Sequence, residues 1–322
     1  MPPAITYEHV VAAAARIAPY CHRTPPVTSR TLDDLTGLRL VFKPENLQRT
    51  GSFKCRGASS AVAVLAAAGV SAVATHSAGN HGAALAFAAR EHGLACHVVV
   101  PSTAPKVKMA AIEGYGARLV LCEPTLAARE TTCARVISDT GAVLVPPYNH
   151  PDIIAGQGTV ALEMLADTPD LDALIVPVGG GGLCSGICVA ARHLSPGVQL
   201  FGAEPALADD ARRSLEAGTI LESTYPDTVA DGLRTSLGEL PFFILRTHLT
   251  DILTATEAQI LAAMELIYSR LKLVVEPSGA VGLAAALANR ERLAGLRVGI
   301  VLSGGNVDPS RLGEFFSSKP AS

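Results

Sequence analysis

Four consecutive glycines are the residues of this sequence best suited to bind an anion: Gly179, Gly180, Gly181 and Gly182. They follow the apolar stretch 173–178 and precede a helix-like segment at 183–194. Glycine lets the backbone approach a ligand closely, and the unpaired N–H groups at a helix start, together with the helix dipole, attract negative charge. The run therefore predicts a phosphate-binding turn between a strand and a helix.

The spacing of these glycines excludes one kind of phosphate site and leaves another open. The run does not fit the G-x-x-x-x-G-K-[ST] form of a P-loop. Gly180 and Gly182 match only the first two glycines of the G-x-G-x-x-G form of a dinucleotide site, and Glu204 stands near the offset where such sites place an acidic residue. A dinucleotide site therefore stays open as an alternative, as does a turn without a ligand.

One lysine lies in a sequence context that suits an amine nucleophile. Lys54 follows Phe53 within the stretch Thr-Gly-Ser-Phe-Lys-Cys-Arg-Gly at 50–57. Burial lowers the pKa of a lysine and makes its lone pair available for Schiff-base chemistry. Taken alone, Lys54 is better explained as a solvated surface lysine, so this chemistry depends on the other motifs.

Two further polar turns could contact a small ligand. The stretch 75–82 joins a predicted strand to a predicted helix and offers Ser77, Asn80 and backbone N–H groups to a carboxylate or a ring oxygen. A Ser–His catalytic pair is disfavoured there, because neither a G-x-S-x-G elbow nor an orienting aspartate accompanies it. Ser303 follows the last predicted strand, where a serine could face a cleft or belong to a plain turn.

The elements that must position these turns alternate along the chain. Short β-branched runs predict strands at 40–43, 72–75, 96–100, 118–122, 143–145, 174–178, 199–203, 251–254 and 298–302. Alanine-rich segments predict helices at 7–17, 57–68, 82–92, 104–113, 126–139, 156–165, 183–194, 208–216, 255–271 and 279–288. This alternation is typical of an α/β fold with a parallel sheet and helices on both faces.

Domain organisation and helix ends follow from the same pattern. We expect a large domain formed by 1–68 and 150–322 and a small inserted domain at 69–149, with the substrate between them at the carboxyl ends of strands. Gly93 and Gly114 are expected to follow two helices as C′ glycines, and Thr254 or Thr256 to cap the helix that runs to residue 271.

Composition excludes several classes of protein. The chain has 322 residues, of which 49% are apolar and 17% charged, with a formal net charge of −3. Without a basic excess, nucleic-acid binding is not expected, and without an apolar run of about 18 residues no membrane span is expected. The N-terminus lacks the features of a signal peptide, and the seven cysteines form no C-x-x-C pair. We therefore expect buried free thiols in a cytoplasmic protein.

Several motifs in a fixed order make the sequence similar to a known family. They are Lys-Pro-Glu-Asn-Leu-Gln-Arg-Thr-Gly-Ser-Phe-Lys-Cys-Arg-Gly at 43–57, the loop 77–82, Ala-Gly-Gln-Gly-Thr at 155–159, the four glycines, and Ser-Gly-Gly-Asn at 303–306. Together they resemble the fold type II pyridoxal-5′-phosphate (PLP) enzymes of the serine/threonine dehydratase and serine racemase family. The resemblance implies a tryptophan synthase β-like fold, with two α/β lobes and open, mostly parallel sheets.

The resemblance implies a role for each motif at the cofactor. Lys54 would hold PLP as a Schiff base and later act as the general base, and Phe53 would lie against the ring. Asn80 would hydrogen-bond the ring hydroxyl. The four glycines 179–182 would cradle the phosphate. Ser303 would face the pyridine nitrogen, where a hydroxyl keeps the ring a weaker electron sink than a carboxylate would, so elimination is favoured over a lasting carbanion.

A second set of residues is implied at the substrate. The catalytic Ser77 and its neighbours would hold the substrate carboxylate, and Arg129 and Thr235 would be further contacts. The substrate-binding loop as a whole is Ser77, Ala78, Gly79, Asn80 and His81. Arg129 could receive a second carboxylate, as in 3-hydroxyaspartate, or be a solvated helix residue. Serine racemases carry a second serine where this chain has Ala78, so dehydration is favoured over racemisation.

The implied function is a lyase reaction. We expect a PLP-dependent dehydratase, an ammonia-lyase that converts L-serine or L-threonine to the 2-oxo acid and ammonia by α,β-elimination. The alternative is a 3-hydroxyaspartate dehydratase, or a serine racemase with dehydratase side activity. A β-replacement enzyme, a dinucleotide oxidoreductase and a non-catalytic PLP-binding module are competing hypotheses.

The resemblance also implies a metal site and a dimer. Glu204, Asp210 and the carbonyl of Ala208 resemble a site for a divalent cation, Mg²⁺, Mn²⁺ or Ca²⁺. The same residues could instead form an acidic helix N-terminus. A homodimer acting on a small amino acid is expected. Isoleucine feedback is not expected, because no regulatory domain of the kind found in biosynthetic threonine dehydratases follows Asp308.

Overall fold

The computed structural model describes residues 5–223 and 226–317 and contains two parallel β-sheets. The strands are Arg39–Pro44 (β1), Ala72–Thr75 (β2), Ala95–Pro101 (β3), Arg118–Cys122 (β4), Val143–Leu144 (β5), Ala173–Pro177 (β6), Gln199–Pro205 (β7), Asp251–Ala255 (β8) and Arg297–Leu302 (β9). The five-stranded sheet has the order β1-β9-β6-β7-β8, and the four-stranded sheet has the order β4-β3-β2-β5. The predicted α/β class with parallel sheets is confirmed.

Helices occupy most of the connections between these strands, as right-handed crossovers between parallel strands require. They are Tyr7–Ile17 (α1), Arg30–Thr36 (α2), Lys54–Ala67 (α3), Asn80–Glu91 (α4), Lys106–Gly114 (α5), Leu126–Thr140 (α6), Pro151–Asp167 (α7), Gly182–Leu194 (α8), Asp210–Ala217 (α9), Glu239–His248 (α10), Glu257–Leu266 (α11), Pro277–Ala288 (α12) and Leu312–Ser317 (α13). Over the described ranges, none of them is long and apolar enough to cross a membrane.

The larger sheet is assembled from distant parts of the chain. β1 pairs in parallel with β9, which places Leu40 opposite Val298, and β9 pairs in turn with β6. The four strands β2 to β5 form the other sheet by themselves. The boundaries predicted for the small domain, near residues 69 and 149, stay a prediction.

Apolar side chains pack against both faces of the larger sheet. Along β6, Ile175 belongs to the cluster that contains Val281 of α12, whereas Leu174 and Val176 pack with Ile187 of α8. Successive side chains of a strand point to opposite faces, so a strand buried on both sides reads as a continuous apolar run. This explains why β6, which leads to the glycines, shows no alternation of apolar and polar residues.

Several predicted helix bounds are wrong. α3 begins at Lys54 and not at residue 57, and α7 begins at Pro151 and not at residue 156. The predicted helix 255–271 divides, because β8 continues to Ala255, α11 follows, and its last turn is a π-helix at Ile267–Leu271. Helices α2, α10 and α13 were not predicted.

The predicted caps are partly confirmed. Thr256 begins α11 with a capping box that includes Gln259, so the second of the two candidate threonines is the cap. Gly93 follows α4 with a φ of +69°. The prediction for Gly114 is wrong, because that residue is the last of α5 and the left-handed residue is Gly116, with a φ of +92°.

The prediction of buried thiols is wrong for two of the seven cysteines. All seven are free, but Cys21 and Cys122 are only half-buried. Cys21 Sγ lies 3.5 Å from the sulfur of Cys55, a buried residue of the first turn of α3. The other five are enclosed in the core, where cysteine behaves as a small apolar side chain.

Candidate active site

A cleft of about 530 Å³ lies at the carboxyl ends of strands from both sheets. His76 follows β2 of the smaller sheet, while Pro177 ends β6 and Ser303 follows β9 of the larger one. Parallel sheets collect functional side chains at this edge, because every strand ends there. The cleft brings together the predicted cofactor and substrate residues Phe53, Lys54, Ser77, Ala78, Gly79, Asn80, His81, Arg129, Gly179, Gly180, Gly181, Gly182, Thr235 and Ser303.

The four glycines form a cradle that has no room for side chains. A Cβ at Gly180 would lie 2.3 Å from the ring of Tyr148, and one at Gly182 would lie 2.9 Å from Tyr148 Cβ. Gly181 is the N-cap of α8, with a φ of +86°. Within the described part of the chain, the N–H groups of residues 179–182 have no hydrogen-bond partner. Unpaired donors at the start of a long helix are suited to a phosphate.

Lys54, the first residue of α3, places its amine in the cleft. Nζ donates a hydrogen bond to the carbonyl of Pro147 at 2.7 Å and lies 5.1 Å from the centroid of the Phe53 ring. Burial lowers the pKa of Lys54 to about 8, although the charge of Glu276 opposes this shift. An amine with such a pKa is neutral in an appreciable fraction of molecules near neutral pH, as a Schiff-base lysine or a general base must be.

The loop that contains Ser77 offers a second anion site. It leads from β2 to α4, whose N-cap is Gly79. The first-turn N–H groups of Asn80, His81 and Gly82 meet no backbone acceptor within residues 5–223 and 226–317. Because α4 is 12 residues long, its N-terminus favours a negative charge, such as a substrate carboxylate, beside Ser77.

One nitrogen of the His81 ring is bound by the protein, whereas Nδ1 is buried without a hydrogen-bond partner among the described residues. Nε2 donates to the carbonyl of Val145 at 2.9 Å, since a carbonyl can only accept. Burial lowers the pKa of His81 to about 3, and the charge of Lys54 acts in the same direction, so the ring is neutral. This hydrogen bond connects the loop to the end of the smaller sheet, and the substrate contact predicted for His81 stays a prediction.

Ser303 and Thr235 border the cleft on the side of the larger sheet. Ser303 is 4% exposed, and its hydroxyl makes only a long hydrogen bond of 3.4 Å to the carbonyl of Ser278. A Cβ at Gly179 would lie 3.2 Å from Thr235 Oγ1, so this hydroxyl lies next to the cradle. Both hydroxyls are available to a ligand in the cleft.

Arg129 reaches the cleft from α6 and is half-buried. It lies near His76, whose pKa is lowered by burial and lowered further by the charge of Arg129. Across the described residues, the guanidinium has neither a carboxylate nor another hydrogen-bond partner. An unpaired guanidinium in a cleft is suited to bidentate binding of a ligand carboxylate.

The predicted metal ligands lie outside the cleft, between the end of β7, which contains Glu204, and the start of α9 at Asp210. The carboxyl oxygens of Glu204 accept N–H groups from the first turn of α9, at 3.0 and 2.9 Å. Asp210 Oδ2 accepts from Leu237 N at 3.2 Å, whereas Oδ1 is buried without a partner. Burial raises the pKa of Glu204 to about 8 and that of Asp210 to about 6. The unpartnered oxygen fits a cation ligand.

The structure gives limited support to this metal site. Among the residues it describes, no cluster of three or more His, Cys, Asp or Glu side chains could hold a metal ion. The predicted set consists of two carboxylates and the carbonyl of Ala208, which would have to be completed by water. The divalent cation therefore stays a prediction.

Together these groups define a class of protein. A desolvated lysine beside an aromatic ring suits an aldehyde, and the cradle at the start of α8 suits a phosphate, so the cleft fits a cofactor that carries both groups. The helix N-terminus beside Ser77 suits the carboxylate of an amino acid. These features are those expected of an enzyme that uses a phosphorylated aldehyde as its cofactor.

The chain belongs to the family of pyridoxal-phosphate dependent enzymes, whose model matches residues 17–304. It is 47% identical over 308 residues to a beta-hydroxyaspartate dehydratase of Paracoccus denitrificans, covering 95% of this chain and 98% of that protein. It is 46% identical over 309 residues to a serine racemase of Arabidopsis thaliana, covering 94% and 93%. The solved structure of maize serine racemase superposes with a TM-score of 0.93 at 41% identity, covering 98% and 97%. The resemblance inferred from the motifs is confirmed, and the family match decides against the dinucleotide alternative.

Some residues of the cleft received no role from the sequence, although the turn 275–280 stands out there as polar and glycine-containing. Glu276 is the N-cap of α12, and its carboxyl is buried in the cleft wall. Lys108 of α5 forms an ion pair of 2.6 Å with Asp231, which connects the two sides of the cleft. The only local signal for Glu276 is its place directly before a proline that begins a helix, and the ion pair joins residues too far apart in sequence to be paired by pattern.

Proposed function

We propose that this protein is a PLP-dependent ammonia-lyase that eliminates water from 3-hydroxyaspartate and releases the corresponding 2-oxo acid and ammonia. The observation that carries the proposal is the unpaired guanidinium of Arg129 in the wall of the cleft. The similarity to a beta-hydroxyaspartate dehydratase supports it. L-Serine and L-threonine, which the sequence favoured as substrates, have no second carboxylate to pair with Arg129.

The cofactor would be held by residues that fit it. Gly179 to Gly182 would bind the phosphate through their N–H groups, Phe53 would lie against the ring and Asn80 would donate to the ring oxygen. Ser303 would face the ring nitrogen with a hydroxyl, which cannot keep a proton there as a carboxylate would. Bound PLP supplies an electron sink that acidifies the α-proton of an amino acid.

The reaction depends on Lys54 and on the loop of Ser77. The amine of Lys54 would remove the α-proton, and its pKa of about 8 suits a general base near neutral pH. The N–H groups at the start of α4 would hold the α-carboxylate, while Arg129 would hold the β-carboxylate. Two anchored carboxylates fix the orientation of the Cα–H and Cβ–OH bonds that must break.

The role of Arg129 can be tested with two substitutions in the same helix. Arg129→Ala should lower kcat/KM for 3-hydroxyaspartate by roughly 10- to 150-fold, the value of a charged hydrogen-bonded pair, and leave L-serine nearly unchanged. Arg135→Ala is the matched control, because Arg135 also lies on α6 but is exposed and outside the cleft. The assay is 2-oxo acid formation from both 3-hydroxyaspartate diastereomers, L-serine and L-threonine.

The outcome separates the hypotheses. If the wild-type protein prefers L-serine or L-threonine to both diastereomers, the proposed substrate is wrong. If Arg129→Ala lowers the rate equally with every substrate, Arg129 supports the loop and does not bind a second carboxylate. A protein that takes up no PLP would contradict the whole proposal.

Serine racemase is the second candidate, favoured by the similarity to the racemase of Arabidopsis thaliana. Racemisation needs an acid on the face of Cα opposite Lys54. Ala78 lines the cleft beside Ser77 and has no exchangeable proton, so the step lacks a donor at this position. We therefore place racemisation behind elimination.

A further inference from the structure

Glu276 is a buried carboxyl group built into the wall of the proposed cofactor site. Glu276 is 5% exposed, and its Oε1 accepts a hydrogen bond from Asn80 Nδ2 at 2.7 Å. Oε2 has no hydrogen-bond partner in the described part of the chain. A Cβ at position 304 would lie 2.3 Å from Oε1, so the glycine there leaves the space that this carboxyl occupies.

The amide of Asn80 is held at both ends. Its Oδ1 accepts from Asn306 Nδ2 at 2.8 Å, and Asn306 is itself fixed by a bond of 2.7 Å to the carbonyl of Thr50. Its Nδ2 donates to Glu276. A side-chain amide has two N–H donors, so one remains. Because Asn80 lines the cleft, this second N–H is the donor available to a ligand.

We propose that Glu276 is a positioning residue, which accepts one N–H of Asn80 and thereby directs the other at the ring oxygen of PLP. The inference rests on the proposed function, since it takes the contact between Asn80 and the cofactor from it. Without Glu276 the amide would lose one of its two fixed ends and could rotate about its last side-chain bond. The remaining donor would then point at the ring oxygen only part of the time.

The carboxyl performs this task as a neutral acid below about pH 8. The pKa of Glu276 is raised to about 8, mainly by burial and also by the charge of Asp231, against the hydrogen bond from Asn80 and the charges of Lys108 and Lys54. These groups face it from the segment before α10 and from α3, α4 and α5. Oε1 accepts from Asn80 in either state, so the proton belongs to Oε2. Above pH 8 a negative charge develops beside the ring oxygen.

Two substitutions separate the hydrogen bond from the charge. Glu276→Gln keeps a neutral acceptor of the same size, whereas Glu276→Ala removes the acceptor. We expect the dissociation constant of PLP from the apoprotein to rise about tenfold in the alanine variant, the effect of one hydrogen bond, and to stay within about twofold of wild type in the glutamine variant at pH 7. The absorption spectrum of bound PLP should titrate near pH 8 in wild type and not in the glutamine variant.

Asp231→Asn tests the charge separately, because it removes a carboxylate of the same cleft that makes no contact with Asn80. It should move the spectral titration to lower pH, since the charge of Asp231 raises the pKa of Glu276. A titration unmoved by Asp231→Asn would contradict the assignment.

The other possible results of these experiments refute either the role of Glu276 or the proposed function. An alanine variant that binds PLP as tightly as wild type overturns the inference. Should the alanine variant fail to fold, the glutamine variant decides, and a spectral titration near pH 8 that persists in it overturns the inference as well. A wild-type protein that takes up no PLP at all refutes the proposed function instead.

Discussion

Replacing Glu163 with glutamine should destabilise the fold by about 3 kcal/mol at pH 7. Glu163 Oε1 accepts from Arg56 at 2.7 Å and Oε2 from Lys43 at 2.5 Å, and its side chain is only 16% exposed. Burial by itself would raise the pKa of Glu163, but the hydrogen bonds and charges of Arg56 and Lys43 lower it from 4.5 to about 2. At ~1.4 kcal/mol per pH unit, this difference corresponds to about 3 kcal/mol of stability at neutral pH.

The pH dependence has a definite sign. Because the pKa of Glu163 is lower in the folded state, its contribution is complete above the unfolded value of 4.5 and is lost as the pH falls towards about 2. The difference between wild type and Glu163→Gln should therefore shrink to about 1.4 kcal/mol at pH 3. Urea unfolding at both pH values measures it.

The substitution also tests how Lys54 is positioned. Arg56 stands two residues after Lys54 in α3 and binds Glu45 as well as Glu163, so this buried network fixes the start of the helix that presents the amine. Glu216→Gln is the matched control, because Glu216 pairs with an arginine but is 63% exposed, and it should change stability by less than about 1 kcal/mol. A loss below about 1 kcal/mol for Glu163→Gln at pH 7, or one that does not depend on pH, would refute the reasoning.

Three further predictions concern the site. Borohydride reduction of the holoenzyme should attach the cofactor to Lys54, the desolvated amine, and peptide mass mapping that finds it on another lysine would end this assignment. Ala78→Ser should increase racemisation of L-serine, measured by chiral chromatography, because it adds a hydroxyl able to exchange a proton; no increase would mean that another group serves this face of Cα. Chelation of divalent cations should lower the unfolding temperature of wild type but not of Asp210→Asn, because the buried Oδ1 of Asp210 needs a partner; an equal response of both proteins would argue against a cation at this site.

The sequence predicted features that depend on neighbouring residues. The glycine run, the start of α8 and the cap of α11 at Thr256 depend on backbone groups within a few positions, and local chemistry is enough to locate them. The contacts that give these features their chemistry are long-range. Lys54 Nζ meets the carbonyl of Pro147, 93 positions away, and Asn80 meets Glu276, 196 positions away. Burial of Lys54 and Glu276 depends on which distant segments cover them, and no local pattern encodes that.

The charged side chains of the cleft should favour substrates with two carboxylates over substrates with one. Among the described residues that line it, Lys108 is paired with Asp231, whereas Arg129 has no partner. The phosphate cradle consists of backbone N–H groups and needs no cation, so Arg129 is not required there. A substrate with one carboxylate would use the start of α4 and leave the half-buried guanidinium of Arg129 without a carboxylate partner. A site with polar groups that pair with the ligand discriminates against a ligand lacking those groups far more strongly than an apolar site discriminates against a missing methylene. Removal of the second carboxylate should therefore lower kcat/KM more than the removal of a methylene.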